Sequence, residues 1–204
     1  MICHRRFFLS GLASLPLAPF AIGQIPAVAA KLITAARQQI GVTRGYDGAY
    51  RSLSYPGGDI SRATGVCTDV IIRAYRDAFN YDLQKAVHED MRANFRAYPA
   101  NWGLTRPDRN IDHRRVPNLE TWLTRQGSKL EMPDDINRFQ AGDLLTMRLP
   151  RNLPHIAIVS DQTTRAGTPY IIHNIGAGTR EEPLDGLKET LLYRFRHLDG
   201  VSPA

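Results

Sequence analysis

The sequence predicts an α+β fold, and three observations carry that prediction. Apolar residues recur at helical three-and-four spacing as far as residue 126. Beyond Ala141 the period switches to short β-branched or alternating segments. No internal repeat or low-complexity tract interrupts the order. Helices first and strands afterwards give a helical N-terminal half packed on an antiparallel sheet.

Lys31 to Ile40 has helical spacing, and Gly41 can end it. Thr43 to Asp59 is rich in Gly, Tyr and Ser, with Pro56-Gly57-Gly58 as a turn, and reads as a long ordered loop or a pair of short ones. From Thr64 or Gly65 to Phe79, Val66, Val70, Ile71, Ala74 and Ala78 form one apolar face with Arg73, Arg76 and Asp77 opposite, which predicts a helix. Another covers Leu83 to Tyr98, stopped by Pro99. A further one runs from about Pro117 to Gln126, with Pro117 in its first turn and Gly127 past its end. The predicted strands are Asp143 to Leu149, His155 to Asp161, Tyr170 to Ile175 and Thr190 to Arg196, separated by Pro, Gly and Asn.

With 43% hydrophobic and 23% charged residues the chain has a globular balance, which excludes wholesale disorder, collagen and coiled coil. The apolar stretch from Phe7 to Ile22 is broken by Gly11, Ser14, Pro16 and Pro19. It falls short of the roughly 18 to 20 uninterrupted residues of a membrane span, so no transmembrane segment is expected. Residues 1–29 read instead as an export signal, with Arg5-Arg6-Phe7-Phe8-Leu9 of twin-arginine type and Ala27-Val28-Ala29 as a small-residue cleavage site. A single domain, residues 30–204, would then work in the periplasm. Cleavage removes Cys3 and leaves Cys67 without a partner in an oxidising compartment. Such a thiol is a buried small hydrophobe, an intermolecular bridge or a reactive nucleophile.

Cys67 falls in the first turn of its predicted helix, where free N–H groups and the macrodipole favour an anion and lower a thiol pKa. It also shares a stripe with Val70, Ile71 and Ala74, so core packing is the competing reading. His155 opens the run Pro154-His155-Ile156-Ala157-Ile158-Val159, and an imidazole at a strand end could take the thiol proton and return it to a leaving amine. The alternative is a half-exposed loop-boundary histidine. One strand on, alternation puts His173 and Asn174 on opposite faces, so only one of them can orient His155.

Gly65-Val66-Cys67-Thr68-Asp69, Gly142-Asp143-Leu144, His155-Ile156-Ala157-Ile158-Val159 and Ile172-His173-Asn174 together resemble the marks of the NlpC-like cell-wall cysteine peptidases, relatives of papain. The chain is most similar to an uncharacterised periplasmic branch through Tyr55-Pro56-Gly57-Gly58-Asp59, Asp82-Leu83-Gln84, Ile111 to Leu119 and His173-Asn174-Ile175-Gly176. The commoner Asp-Cys-Ser-Gly context is Val66-Cys67-Thr68-Asp69 here. The resemblance implies a papain-like fold, a Cys67–His155–His173 site with Asn174 as the fallback orienter, and hydrolysis of peptide bonds in peptidoglycan or its fragments. A non-catalytic wall- or partner-binding module with the same fold is the alternative from another class, and an acyl transferase using the same thiolate is a third. An oxyanion would need donors: the Cys67 backbone N–H is one, and Tyr46, Tyr50 or Tyr55 is the other.

Asp112-His113-Arg114-Arg115 is the densest charge cluster after the signal. With Asp69 it offers possible substrate contacts, since guanidinium forks suit stem-peptide carboxylates; a structural ion-pair turn is the alternative. The pI near 9.6 could signal nucleic acid, but export and the lack of an aromatic-basic motif argue against that partner. No motif identifies a regulatory partner. No cofactor is expected, and the zinc option through His155, His173 and Asp143 lacks a zincin helix or a Cys-x-x-Cys.

Overall fold

The computed structural model describes residues 25–199, so most of the expected export signal lies outside the described residues. Helix α1 (Ala27–Arg37) begins four residues ahead of the expected Lys31, because Ala29 extends the apolar face of Leu32, Ile33 and Ala36. Helix α2 (Cys67–Phe79) starts where Asp69 reaches back to accept the Val66 N–H at 2.7 Å, and Asn80 closes it in a left-handed conformation. Helix α3 (Leu83–Asn94) is capped by Asp82, which accepts the Gln84 N–H at 3.0 Å, and ends in one 3₁₀ turn at Phe95–Ala97. Helix α4 (Val116–Arg125) has Pro117 in its first turn and Gly127 at φ +70° beyond its end.

The expected loop after α1 contains strand β1 (Gly45–Tyr46), which pairs in parallel with β2 (Thr64–Gly65) just before α2. Six further strands form one antiparallel sheet: β3 (Lys129–Leu130), β4 (Leu144–Leu149), β5 (Leu153–Thr163), β6 (Pro169–Asn174), β7 (Thr179–Pro183) and β8 (Leu191–Phe195). Their order is β3-β8-β4-β5-β6-β7. The α+β layout is therefore present, helices first and an antiparallel sheet after.

Alternation along the strands gives the sheet two buried faces. Leu144, Ile156, Ile158, Ile172 and Phe195 meet the helices, with Trp122, Tyr75 and Cys67 in the same cluster. Leu145, Met147, Ala157, Val159 and Ile171 form a smaller cluster on the other face with Phe139 and Leu184. His155 and His173 keep step with Ala157 and Ile171, so they belong to that second face. The β6–β7 turn docks on the β1 loop: Thr179 N–H donates to Thr43 O at 2.8 Å, and Gly178 sits so close that a Cβ there would lie 2.4 Å from the same oxygen.

Candidate active site

Cys67 is the first residue of α2 and is only 3% exposed. Three groups address its sulfur: the backbone N–H of Ile156 from β5, the N–H of Thr68 in its own helical turn, and the Tyr46 side chain. The expectation that the helix start lowers this thiol's pKa is corrected here. Burial pushes the thiol up to about 11, and the three hydrogen-bonding groups only partly offset it. The resting sulfur is a neutral thiol.

Among the three candidate tyrosines the structure brings Tyr46 to the sulfur. Its hydroxyl is itself pushed up to about 12, first by desolvation and then by the neighbouring thiol, although the residue as a whole is half exposed. Tyr50 is occupied elsewhere, donating to Asp108 Oδ2 at 2.9 Å and accepting from Asn110 Nδ2 at 2.8 Å. Tyr55 packs edge-on against His88 with ring centroids 5.1 Å apart.

On β5 and β6, His155 Nε2 and His173 Nδ1 are 2.8 Å apart, and His173 Nε2 is 2.9 Å from Glu182 Oε1 on β7. His155 is 2% exposed and His173 fully buried. Desolvation, reinforced by the neighbouring His173, pushes His155 down to about 3; burial lowers His173 as well, against the pull of Glu182. Both rings are therefore neutral at neutral pH. Among the described residues no hydrogen bond joins the thiol to either imidazole; what links them is the segment His155-Ile156, whose first residue carries the ring and whose second presents its N–H to the sulfur.

Asn174 points the other way from His173. Its Nδ2 donates to Gly45 O at 3.1 Å and Gly65 O at 2.9 Å, clamping the β1 and β2 ends that carry Tyr46 and lead into Cys67. Gly65 has no room for a side chain, since a Cβ would lie 3.0 Å from Arg73 Nη1 and 3.2 Å from Asp69.

Of the two readings of the charge cluster, the structure shows the ion-pair turn: Asp112, His113 and Arg114 are buried. Asp69 and Arg114 form a two-pronged pair at 3.0 and 2.9 Å, and Arg114 also donates to Asp47 O and Ala49 O on the Tyr46 loop. Asp112 is buried, accepts from Asp108 N–H and Arg115, and has its carboxyl pKa raised by that burial. His113 is buried and pushed down to about 3. For Arg114 the reason is that its partners come from the α2 start, 45 residues away in the chain, and from the loop before it, whereas Asp112 is held by its own neighbours Asp108 and Arg115. Of the cluster, Asp112 and Arg115 line a cavity of about 300 Å³, with the Arg115 guanidinium 4.0 Å above the Trp102 ring. A larger cavity of about 780 Å³ between Trp102, Lys129 and Tyr193 touches β5 at Pro154, and neither cavity is lined by Cys67, His155 or His173.

Sequence reasoning missed Glu182. Its strand, Thr-Arg-Glu-Glu-Pro, carries no apolar alternation, and only the pairing of Glu182 with Ile171 reveals that its carboxylate reaches His173. Among the described residues no helix is long and apolar enough to cross a membrane, and no group of three His, Cys, Asp or Glu is placed to hold a metal ion.

Residues 33–197 match the family model described as "Domain of unknown function (DUF1287)". The chain is also similar to a protein of Escherichia coli (strain K12) named "Uncharacterized protein YijF", with 56% identity over 147 residues, covering 72% of this chain and 71% of that protein.

Proposed function

Since the chain belongs to the DUF1287 family, whose description assigns no chemistry, we propose its function from the site: an exported, papain-like, thiol-dependent hydrolase of peptide bonds in cell-wall peptidoglycan. The observation that carries this reading is the continuous run from His155 through His173 to Glu182, ending one residue from the N–H that meets the Cys67 sulfur. With Nε2 engaged by His173, the Nδ1 edge of His155 is the one available to the thiol.

In this mechanism the Cys67 Sγ–H proton passes to His155 Nδ1 as sulfur bonds to the substrate carbonyl carbon. The Cys67 N–H and the Tyr46 hydroxyl hold the oxyanion. The carbonyl re-forms as the C–N bond breaks, and His155 gives its proton to the departing amine. Water then cleaves the thioester, releasing the acid and restoring the thiol. The thiol and imidazole have to close on one another when substrate enters, as catalytic hydrogen bonds commonly do only in the loaded complex.

A second reading, a wall-binding module that has kept this fold, is favoured by the burial and raised pKa of Cys67. Mass analysis of purified sacculi separates the two. The hydrolase releases muropeptides, and Cys67→Ala abolishes release while binding to sacculi persists. A thiol reagent stops release and a chelator does not. No release by the wild-type chain, with binding intact, would leave the module reading in place.

A further inference from the structure

Resting on the hydrolase reading of Cys67 and His155, we propose that Glu182 is a positioning residue: through His173 it fixes the tautomer of His155 that keeps the Nδ1 lone pair free for the thiol proton. An ionised carboxylate accepts hydrogen bonds and has none to give, so its 2.9 Å contact requires the proton on His173 Nε2. A neutral imidazole carries one ring proton, and His173 Nδ1 is then bare. The 2.8 Å contact from that atom to His155 Nε2 still needs a proton, which comes from His155. That leaves His155 Nδ1 unprotonated. Burial keeps both rings neutral, as this proton count requires.

The fold supplies the geometry. Glu182 lies opposite Ile171 in the β6–β7 ladder, on the same face as His173 and two residues beyond Arg180, which lies opposite His173 itself. Its side chain is 41% exposed, so the relay runs from the buried base to solvent. When the thiol proton arrives at Nδ1, its electron pair stays on sulfur, and the imidazolium charge faces a carboxylate two hydrogen bonds away.

Long-range 1H–15N spectra of the histidine side chains in the full chain, with His155→Gln for assignment, test the relay. Wild type is expected to show protonated Nε2 and bare Nδ1 on both rings. Glu182→Lys places a group that only donates at the same half-exposed position. It should bring a proton onto His155 Nδ1 and lower kcat for muropeptide release by about a hundredfold or more, with KM and the thermal midpoint unchanged. Glu182→Gln, whose amide oxygen still accepts, should recover the wild-type tautomers and much of the rate. Protonated Nδ1 on His155 in the wild type, or unaltered tautomers in Glu182→Lys, would overturn the proposal. Because the spectra need no turnover, expected tautomers without release would remove the hydrolase reading and leave the relay standing.

Discussion

Two buried polar networks flank Cys67, and they are built on opposite electrostatics. Asp69 and Arg114 are both charged, and the pair ties the α2 start to the loop that carries Tyr46. Burial works against the Arg114 charge, and the hydrogen bonds and charge of Asp69 outweigh it, so the guanidinium is held above its ordinary pKa. His155 and His173 are uncharged, and their network meets a carboxylate only at its half-exposed end. A network of fixed opposite charges has no proton to move and serves as scaffold. A chain of neutral rings can gain one proton and pass its charge along. The position of a buried polar group beside a nucleophile therefore says less about its role than whether it can change its protonation state.

The largest effect that can break this contrast is on the charged side. Arg114→Met should destabilise the fold by about 3–5 kcal/mol, because it strands the Asp69 carboxylate in the interior. Adding Asp69→Asn should recover part of the loss, since the stranded charge goes while the Val66 N–H keeps an acceptor. Chemical denaturation measures both. A loss below about 1 kcal/mol in Arg114→Met, the range of exposed pairs, would mean that this network is not the scaffold.

How much of this was legible in the sequence depends on how local the cause is. Helix α4 could be placed to within a residue, since Pro117 and Gly127 mark its ends locally, and β4, β5, β6 and β8 follow from alternation. The two-residue β1 and β2 could not, because the Asn174 amide that clamps the two strands together comes from more than a hundred residues away. β7 is a polar edge strand with no period to read, and Glu182 was hidden with it. At Cys67 the local signal was real and insufficient. The helix start does offer N–H groups, but desolvation by burial sets the pKa. The run Asp112-His113-Arg114-Arg115 left both substrate contact and an ion-pair turn open in the sequence, because the Asp69 partner that holds Arg114 in the interior lies 45 residues away.

A middle-sized effect tests the neutral network by pH. His155 is depressed from 6.5 to about 3, so below about pH 6.5 the unfolded chain takes up a proton that the folded chain refuses. The stabilisation is thus present above the unfolded pKa and lost as pH falls towards the folded one. His113, also pushed down to about 3, adds to the same limb. Stability should fall by up to about 1.4 kcal/mol per pH unit for each such proton. His155→Gln, which cannot titrate, should flatten the acid limb by one proton's worth in urea denaturation series. An unchanged slope would show His155 charged or solvated in the fold and remove the neutral ring on which the contrast depends.

The smallest effect concerns the thiol between the two networks. At neutral pH a sulfur whose pKa is pushed up to about 11 should be alkylated far more slowly than a free cysteine, whose pKa is about 8.5, and the rate should climb through the alkaline range. Tyr46 is the side chain that opposes this rise, since its hydroxyl favours the thiolate. One such bond is worth about 0.5–1.5 kcal/mol net, so Tyr46→Phe should raise the apparent thiol pKa by up to about one unit. Tyr50→Phe should leave it unmoved, because that hydroxyl is spent on Asp108 and Asn110. The pH profile of iodoacetamide alkylation reads both variants without any substrate. A wild-type profile centred near 8.5 would place the sulfur in water. A thiol that stays high in the wild type and rises further only in Tyr46→Phe would identify that hydroxyl as the group whose hydrogen bond to sulfur partly offsets its burial.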